Sequence, residues 1–217
     1  MDVLSYASDD CKAPDEDLIR RPRGKISHRQ WKLLGQELHA VVAPFSFWRS
    51  RLRKLLIKVD DWTIAIDEVG EWPHLRARVL FGVADIPMRF ELATGRSNKV
   101  EAWLDTSVHS LRHLERVWVE PRFDARCSVF TSSPVTMQHL LDDPDLRAAI
   151  MAHPTFALTC SPNGGTDGCF LLSLFPKHGG IDVASTAAVR DLMHAFLRRL
   201  RVVGVATGIG VPWTRGV

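Results

Sequence analysis

Alternation of apolar and polar residues between residues 62 and 92 is the feature that most narrowly limits the fold of this chain. Trp62–Ile66 alternates and is rich in residues that favour strands. In Leu75–Val83 apolar residues recur at every second position, and arginines separate the first three of them. Met88–Leu92 repeats the pattern and places Glu91 on the face expected to contact water. The pattern predicts an antiparallel meander with one buried face and one solvated face.

A helix is predicted where the folded region begins. Ser27 is a residue type that caps helix N-termini by accepting a backbone N–H. The apolar residues that follow at helical spacing are Trp31, Leu34, Leu38, Val41 and Val42. Pro44 is expected to end or kink this helix, because proline has no backbone N–H to donate.

Helices and a hairpin are predicted in the C-terminal half. Helical spacing runs from about Val135 to Ala152, and a proline near the middle is expected to split it and to lie in the first turn of the second piece. Phe156–Cys160 and Cys169–Phe175 are expected to be strands joined by a loop rich in turn-forming residues. Asp182 or Ser185 is expected to begin the last helix.

These elements predict an α+β fold with an N-terminal helical region, an antiparallel β-sheet and two C-terminal helices packed on the sheet. The length of 217 residues fits one domain. We expect a flexible tail over 1–25, a single α+β domain over 26–203 and a Gly-rich C-terminal tail over 204–217. The acidic start without an apolar run and the lack of any long apolar stretch predict a cytoplasmic protein.

A second informative segment is Phe123–Pro134, which is followed by the pairs Leu140-Leu141 and Leu146-Arg147. These residues resemble the core of an uncharacterised bacterial family, which has a Phe-Asp pair, a strand, a Ser/Asp-Pro turn and a helix with Leu-Leu and Leu/Ile-Arg. The resemblance covers about residues 60–200 and implies a β-hairpin and a closing helix after this core. It implies no catalytic residue, because none is established for that family.

The residue types in this segment favour a structural role. Phe123 is expected to fill the core at a corner, and Asp124 to accept backbone N–H groups in a turn. Arg147 is expected to pair either with Asp124 or with the C-terminus of a helix.

Sequence patterns for catalysis or cofactor binding are missing. None of the four cysteines forms a CxxC pair, and the glycine-rich loop 163–168 is followed by a strand pattern instead of the helix that a phosphate loop needs. His109 and His113 are four residues apart, but a surface pair is expected there and not a metal site. Cys160 and Cys169 either form a disulfide across the hairpin or stay reduced in the core. No cofactor, metal or small-molecule ligand is predicted.

The segment from residue 45 to residue 58 is the main candidate for binding a partner, because it combines cationic and aromatic residues and has no acidic residue. The candidate partner-binding residues are Phe45, Phe47, Trp48, Arg49, Arg51, Arg53, Lys54 and Lys58. Considered as a helix, the segment has three interpretations. The first is a core helix with a basic rim, the second is a helix that lies on an anionic membrane surface, and the third is a binding site for nucleic acid or an acidic protein.

The expected function is non-enzymatic binding or assembly with a protein partner, for example as a subunit of a larger bacterial complex. Aromatic and arginine residues suit such interfaces. One alternative is an enzyme with a dispersed site, for which His109, His113, Asp124 and His178 are the candidates. The other is a peripheral membrane-surface or nucleic-acid-binding protein that acts through residues 45–58.

Overall fold

The computed structural model describes residues 27–43, 54–69, 74–95, 113–153, 155–162, 168–176 and 182–211. The helices in these residues are α1 (His28–Glu37), α2 (Pro121–Asp124), α3 (Pro134–Leu141), α4 (Pro144–Ala152) and α5 (Val183–Val202). The strands are β1 (Val41–Ala43), β2 (Lys54–Val59), β3 (Trp62–Val69), β4 (His74–Val83), β5 (Phe90–Thr94), β6 (Glu115–Arg116), β7 (Cys127–Thr131), β8 (Phe156–Pro162), β9 (Cys169–Pro176) and β10 (Ala206–Gly210).

The ten described strands form one antiparallel sheet with the order β1-β2-β3-β4-β9-β8-β5-β7-β6, and β10 pairs with β4 off this path. Together with the five helices, this sheet confirms the predicted α+β fold class. None of the helices in the described ranges is long and apolar enough to cross a membrane.

The sheet has two chemically different faces. On β4, Ala77, Val79 and Phe81 are fully buried and point to the face that packs against α5, which we call the helix face. The ring of Phe196 on α5 stacks on Phe90 of β5 on this face, with 6.5 Å between the ring centroids. Successive strand residues point to opposite sides, so Arg76 and Arg78 project from the other face, which we call the polar face.

Helix boundaries follow the local capping signals. Ser27 and Gln30 form a capping box in which the Ser27 Oγ accepts the Gln30 N–H at 3.3 Å and the Gln30 Oε1 accepts the Ser27 N–H at 2.8 Å. At the start of α5, the Asp182 Oδ1 accepts the Ser185 N–H at 2.6 Å, so Asp182 is the N-cap. Pro144 is the first residue of α4, which confirms that a proline splits the helical stretch after Val135.

The first helix is shorter than its apolar spacing predicts. Leu38 caps α1, and His39 takes a left-handed backbone with φ of 49°. The chain then reverses, and β1 pairs with β2 so that Val41 lies opposite Leu56. The expectation that Val41 and Val42 extend the helix was therefore wrong, because cross-strand pairing overrides their spacing.

The predicted meander is interrupted after β4. The β8–β9 hairpin lies between β4 and β5, so that β4 pairs with β9 and β5 pairs with β8 and β7. Leu158 and Leu174 of this hairpin are fully buried on the helix face, which gives the hairpin a central place in the sheet. The segment 204–217, expected to be a tail, contains strand β10, and Val205 and Ala206 are buried.

Candidate functional site

Only two of the eight candidate partner-binding residues, Lys54 and Lys58, lie within the described residues. The other six, Phe45, Phe47, Trp48, Arg49, Arg51 and Arg53, lie outside them, as do His109, His178 and the tail 1–25. The helical interpretation is wrong for residues 54–59, which form β2. Lys and Leu there are compatible with a helix, but six consecutive pairings with β3 hold them in a strand.

A cluster of charged residues surrounds Asp67 on the polar face of the sheet. The Arg76 side chain binds both carboxylate oxygens, from Nε to Oδ1 at 3.0 Å and from Nη2 to Oδ2 at 2.9 Å. The Arg78 Nη2 donates a second bond to Oδ2 at 2.7 Å. The Asp67 side chain is only 1% exposed, so both arginines compensate a carboxylate that has left water.

Strand register explains why these side chains meet. Asp67 on β3 lies opposite Arg76 on β4, and on its other side it lies opposite Lys54 on β2. Arg78 is two residues beyond Arg76 on the same strand and therefore points to the same face. The pairing of β3 with β2 on one side and with β4 on the other therefore places cations on both sides of one carboxylate. We call Lys54, Asp67, Arg76 and Arg78 the Asp67 cluster.

Positive charge dominates in the Asp67 cluster. Burial lowers the pKa of Lys54, and Arg78 and Arg76 lower it further, while Asp67 raises it. Burial also lowers the pKa of Arg78, against the opposite influence of Asp67. The cluster contains three basic side chains and one acidic side chain.

The polar face continues across the sheet as a row of smaller polar groups that ends at Glu91. Arg78 lies opposite Ser173, Ser173 opposite Thr159, and Thr159 opposite Glu91. Burial raises the pKa of Glu91. Its Oε2 is buried and has no hydrogen-bond partner in the part of the chain that the structure describes. Glu91 is therefore less solvated than the alternation of its strand predicted.

Sequence reasoning did not select Asp67, Arg76 or Arg78. Two signals were available: the acidic pair Asp67-Glu68, which follows the apolar run Ile64–Ile66, and two arginines at the spacing that puts both on one strand face. Neither signal identifies the cluster alone, because the partners meet only through cross-strand register.

The Phe-Asp segment has the structural role that its residue types predicted. Phe123 is 1% exposed, and both carboxylate oxygens of Asp124 lie 3.1 Å from the backbone N of Val119. Arg147 binds the carbonyl oxygen of Leu141, the last residue of α3, at 2.7 Å. Of the two partners considered for Arg147, the helix C-terminus is therefore the one it binds.

The described cysteines, Cys127, Cys160 and Cys169, are buried and free. Cys160 lies opposite Leu172 in the hairpin register, so it does not face Cys169. Burial raises the pKa of Cys127 to about 12 and also raises the pKa of Cys160. Both thiols are protonated at neutral pH and therefore lack the nucleophilic form.

Comparisons with known proteins give one partial similarity. No family model and no solved structure matches the chain. Over 94 residues the chain is 35% identical to 2,3-diketo-5-methylthiopentyl-1-phosphate enolase from Bacillus pumilus (strain SAFR-032). The match spans 42% of this chain but 23% of the enzyme, so the chain corresponds to less than a quarter of that protein's length.

Proposed function

We propose that this protein is a binding or assembly protein that recognises an acidic protein partner through β2 and the basic segment that precedes it. The observation that carries the proposal is the excess of basic groups in the Asp67 cluster, where Lys54, Arg76 and Arg78 surround one buried carboxylate. A carboxylate from a partner would offset this charge and raise the pKa of Lys54 toward its ordinary value.

The position of β2 supports the proposal because it connects the cluster with the basic segment. Lys54 and Lys58 are four residues apart on one strand, so both point to the polar face. Lys58 is exposed near the end of β2, while Lys54 is half-buried in the cluster. Residues 45–53 precede Lys54 directly in the sequence and add further arginines and aromatic residues.

Among the possible anionic partners, we favour a protein because the arginines of the cluster are recessed. The side chains of Arg76 and Arg78 are 24% and 12% exposed. A single acidic side chain can reach such groups, whereas a flat membrane surface or a nucleic-acid backbone binds basic groups that stand clear of the protein. Arginine also matches the planar geometry of a carboxylate.

An enzyme with a dispersed His/Asp site is the rival hypothesis. The contact of Asp124 with the Val119 N–H gives it a role in holding a turn, and this leaves the hypothesis without support from that residue. The enolase similarity adds no support for it, because less than a quarter of that enzyme is matched.

We also propose that the protein acts in the cytoplasm and that it is a subunit of a larger complex.

Charge reversal on β2 tests the proposal. The native partner is captured from the source cells on the tagged protein and measured by quantitative mass spectrometry, with Lys58→Glu compared with Arg122→Glu. Arg122 is exposed on α2, so it provides the same charge change away from β2. We expect Lys58→Glu to lose an acidic, stoichiometric partner that Arg122→Glu keeps.

Two results would overturn the proposal. One is equal capture by both variants. The other is tighter binding of the wild type to phosphatidylserine vesicles or to a DNA oligonucleotide than to the captured protein at equal ionic strength, which would favour a membrane surface or nucleic acid.

A further inference from the structure

A second group of basic side chains lies on α5, on the side of the sheet opposite to the Asp67 cluster. His194, Arg198 and Arg201 follow one another at spacings of four and three residues, so they share one face of the helix. Arg198 and Arg201 are exposed, and the His194 side chain is 27% exposed. We call these three residues the α5 ridge.

Asp60 at the tip of the β2–β3 hairpin binds the α5 ridge. Its Oδ2 lies 2.7 Å from the Nε2 of His194. The hydrogen bond to His194 lowers the pKa of Asp60, and the charges of His194, Arg198 and Arg201 lower it further. Three side chains of the ridge therefore act on the same carboxylate.

Asp60 binds only one of the three side chains of the ridge directly, which is His194. Arg198 makes no hydrogen bond or ion pair with the residues that the structure describes, although its charge acts on Asp60. The guanidinium of Arg201 lies over Gly208 of β10, where a Cβ would come within 2.8 Å of its Cζ. The side chain of Arg201 therefore packs against the backbone of β10 at Gly208.

Asp60 has the properties of a replaceable internal ligand. Its side chain is 56% exposed, and its backbone φ of 50° lies in the left-handed region, which costs energy for a residue other than glycine. The bond to His194 shows that the ridge accepts a carboxylate. The carboxylate present comes from the two-residue turn between β2 and β3, Asp60 and Asp61.

We propose that the α5 ridge binds an acidic peptide segment of the protein partner, and that Asp60 occupies the site until such a segment replaces it. This inference rests on the proposed binding function but uses none of the residues of the Asp67 cluster. The ridge extends over eight residues of helix, from His194 to Arg201, or about 10 Å, which is the reach of a few acidic side chains.

Neighbouring acids favour a peptide over nucleic acid. Asp60, Asp61 and Asp191 are exposed near the ridge, and Asp191 pairs with Arg190 at 2.7 Å. These carboxylates repel a continuous phosphate backbone, which carries a charge at every nucleotide. An acidic peptide can instead place its carboxylates at Arg198 and Arg201 and leave neutral residues beside the aspartates.

Fluorescence anisotropy with a fluorescein-labelled peptide in which glutamate and glycine alternate, at low ionic strength, tests this inference. We expect Arg198→Ala to weaken binding by about two- to fivefold, as the loss of one exposed ion pair does. Asp60→Asn should strengthen binding, because asparagine tolerates the left-handed turn and removes the competing carboxylate. Arg122→Ala removes an exposed arginine elsewhere and should leave the affinity unchanged.

The inference is overturned if Arg198→Ala and Arg122→Ala weaken binding equally, if Asp60→Asn weakens it, or if a labelled DNA oligonucleotide binds more tightly than the peptide at equal salt. The two proposals fail separately. Capture of the native partner that is unaffected by Lys58→Glu contradicts the β2 proposal, whereas peptide binding that is insensitive to Arg198→Ala contradicts the α5 ridge.

Discussion

Asp124 holds its turn through a contact with the backbone. Both of its carboxylate oxygens lie 3.1 Å from the backbone N of Val119, five residues earlier in the chain. The contact fixes the entry into α2 and with it the position of Phe123 in the core. The observed contact of Asp124 is therefore one that supports the fold.

Asp124→Ala should reduce the free energy of unfolding by about 1–3 kcal/mol, because the Val119 N–H loses its acceptor in a half-buried site. Urea unfolding followed by far-UV circular dichroism measures the loss. Asp124→Asn keeps one acceptor oxygen and should lose less than half as much. Equal stability of Asp124→Ala and the wild type would show that the contact contributes nothing.

Glu91 should lower the stability of the protein at neutral pH. Its pKa is raised in the fold by burial, so the folded state holds its proton more tightly than the unfolded state does. Stability therefore falls as the pH rises from the ordinary glutamate pKa of about 4.3 through the raised value of the folded state. Above that window the ionised side chain exerts its full penalty.

Glu91→Gln should accordingly raise the melting temperature at pH 7.5, and this gain should shrink as the pH falls toward 4. Thermal melts over this pH range measure both effects. Glu115→Gln makes the same change at an exposed site on β6 and should leave the melting temperature unchanged. A gain for Glu91→Gln that is constant down to pH 4 would contradict burial as its cause.

At the scale of elements, the sequence predicted boundaries well where the signal is local. Ser27 and Asp182 cap the helices that they were expected to begin, and Pro144 opens α4. Each of these signals acts within four residues, through a side chain that accepts a nearby N–H or a ring that fixes φ. Such interactions are present in the sequence whatever the rest of the fold does.

Lys54–Val59 and Ala206–Gly210 depend on distant partners and were not predicted as strands. Lys54–Val59 has residues that suit a helix, and its strand conformation comes from pairing with β3. Ala206–Gly210 is rich in glycine, which weakens any strand signal, and it becomes a strand through its pairing with β4. The Asp67 cluster was missed for the same reason, since its side chains meet only in the correct register.

The cap of α5 supports the longest described helix, which covers the helix face of the sheet. The Asp182 Oδ1 accepts the Ser185 N–H at 2.6 Å. Asp182→Ala should therefore lower the free energy of unfolding by about 1 kcal/mol, as the loss of an N-cap does. Asp182→Asn retains a capping oxygen and should stay close to the wild type in the same urea titration. A loss as large for asparagine as for alanine would assign the effect to the charge of Asp182 and not to the cap.

At the scale of the whole molecule, the sheet joins distant parts of the chain. β4 pairs with β3, which neighbours it in sequence, and with β9 and β10, which come from the C-terminal half. The buried core extends from Leu34 on α1 through the sheet to Leu200 on α5. This connectivity predicts that the described elements unfold as one cooperative unit.

Substitutions far apart in the sequence test this cooperativity. Leu34→Ala on α1 and Leu174→Ala on β9 remove side chains that are 2% and 0% exposed, so each should cost about 2–5 kcal/mol. Val135→Ala removes a side chain that is 69% exposed and should cost far less. Tryptophan fluorescence and far-UV circular dichroism should report one coincident transition that both core variants shift to lower urea. A different result is that Leu34→Ala shifts only an early phase while the rest of the protein unfolds at the wild-type midpoint. In that case α1, β1 and β2 form a separate folding unit. Binding at β2 would then be independent of the stability of the α5 ridge.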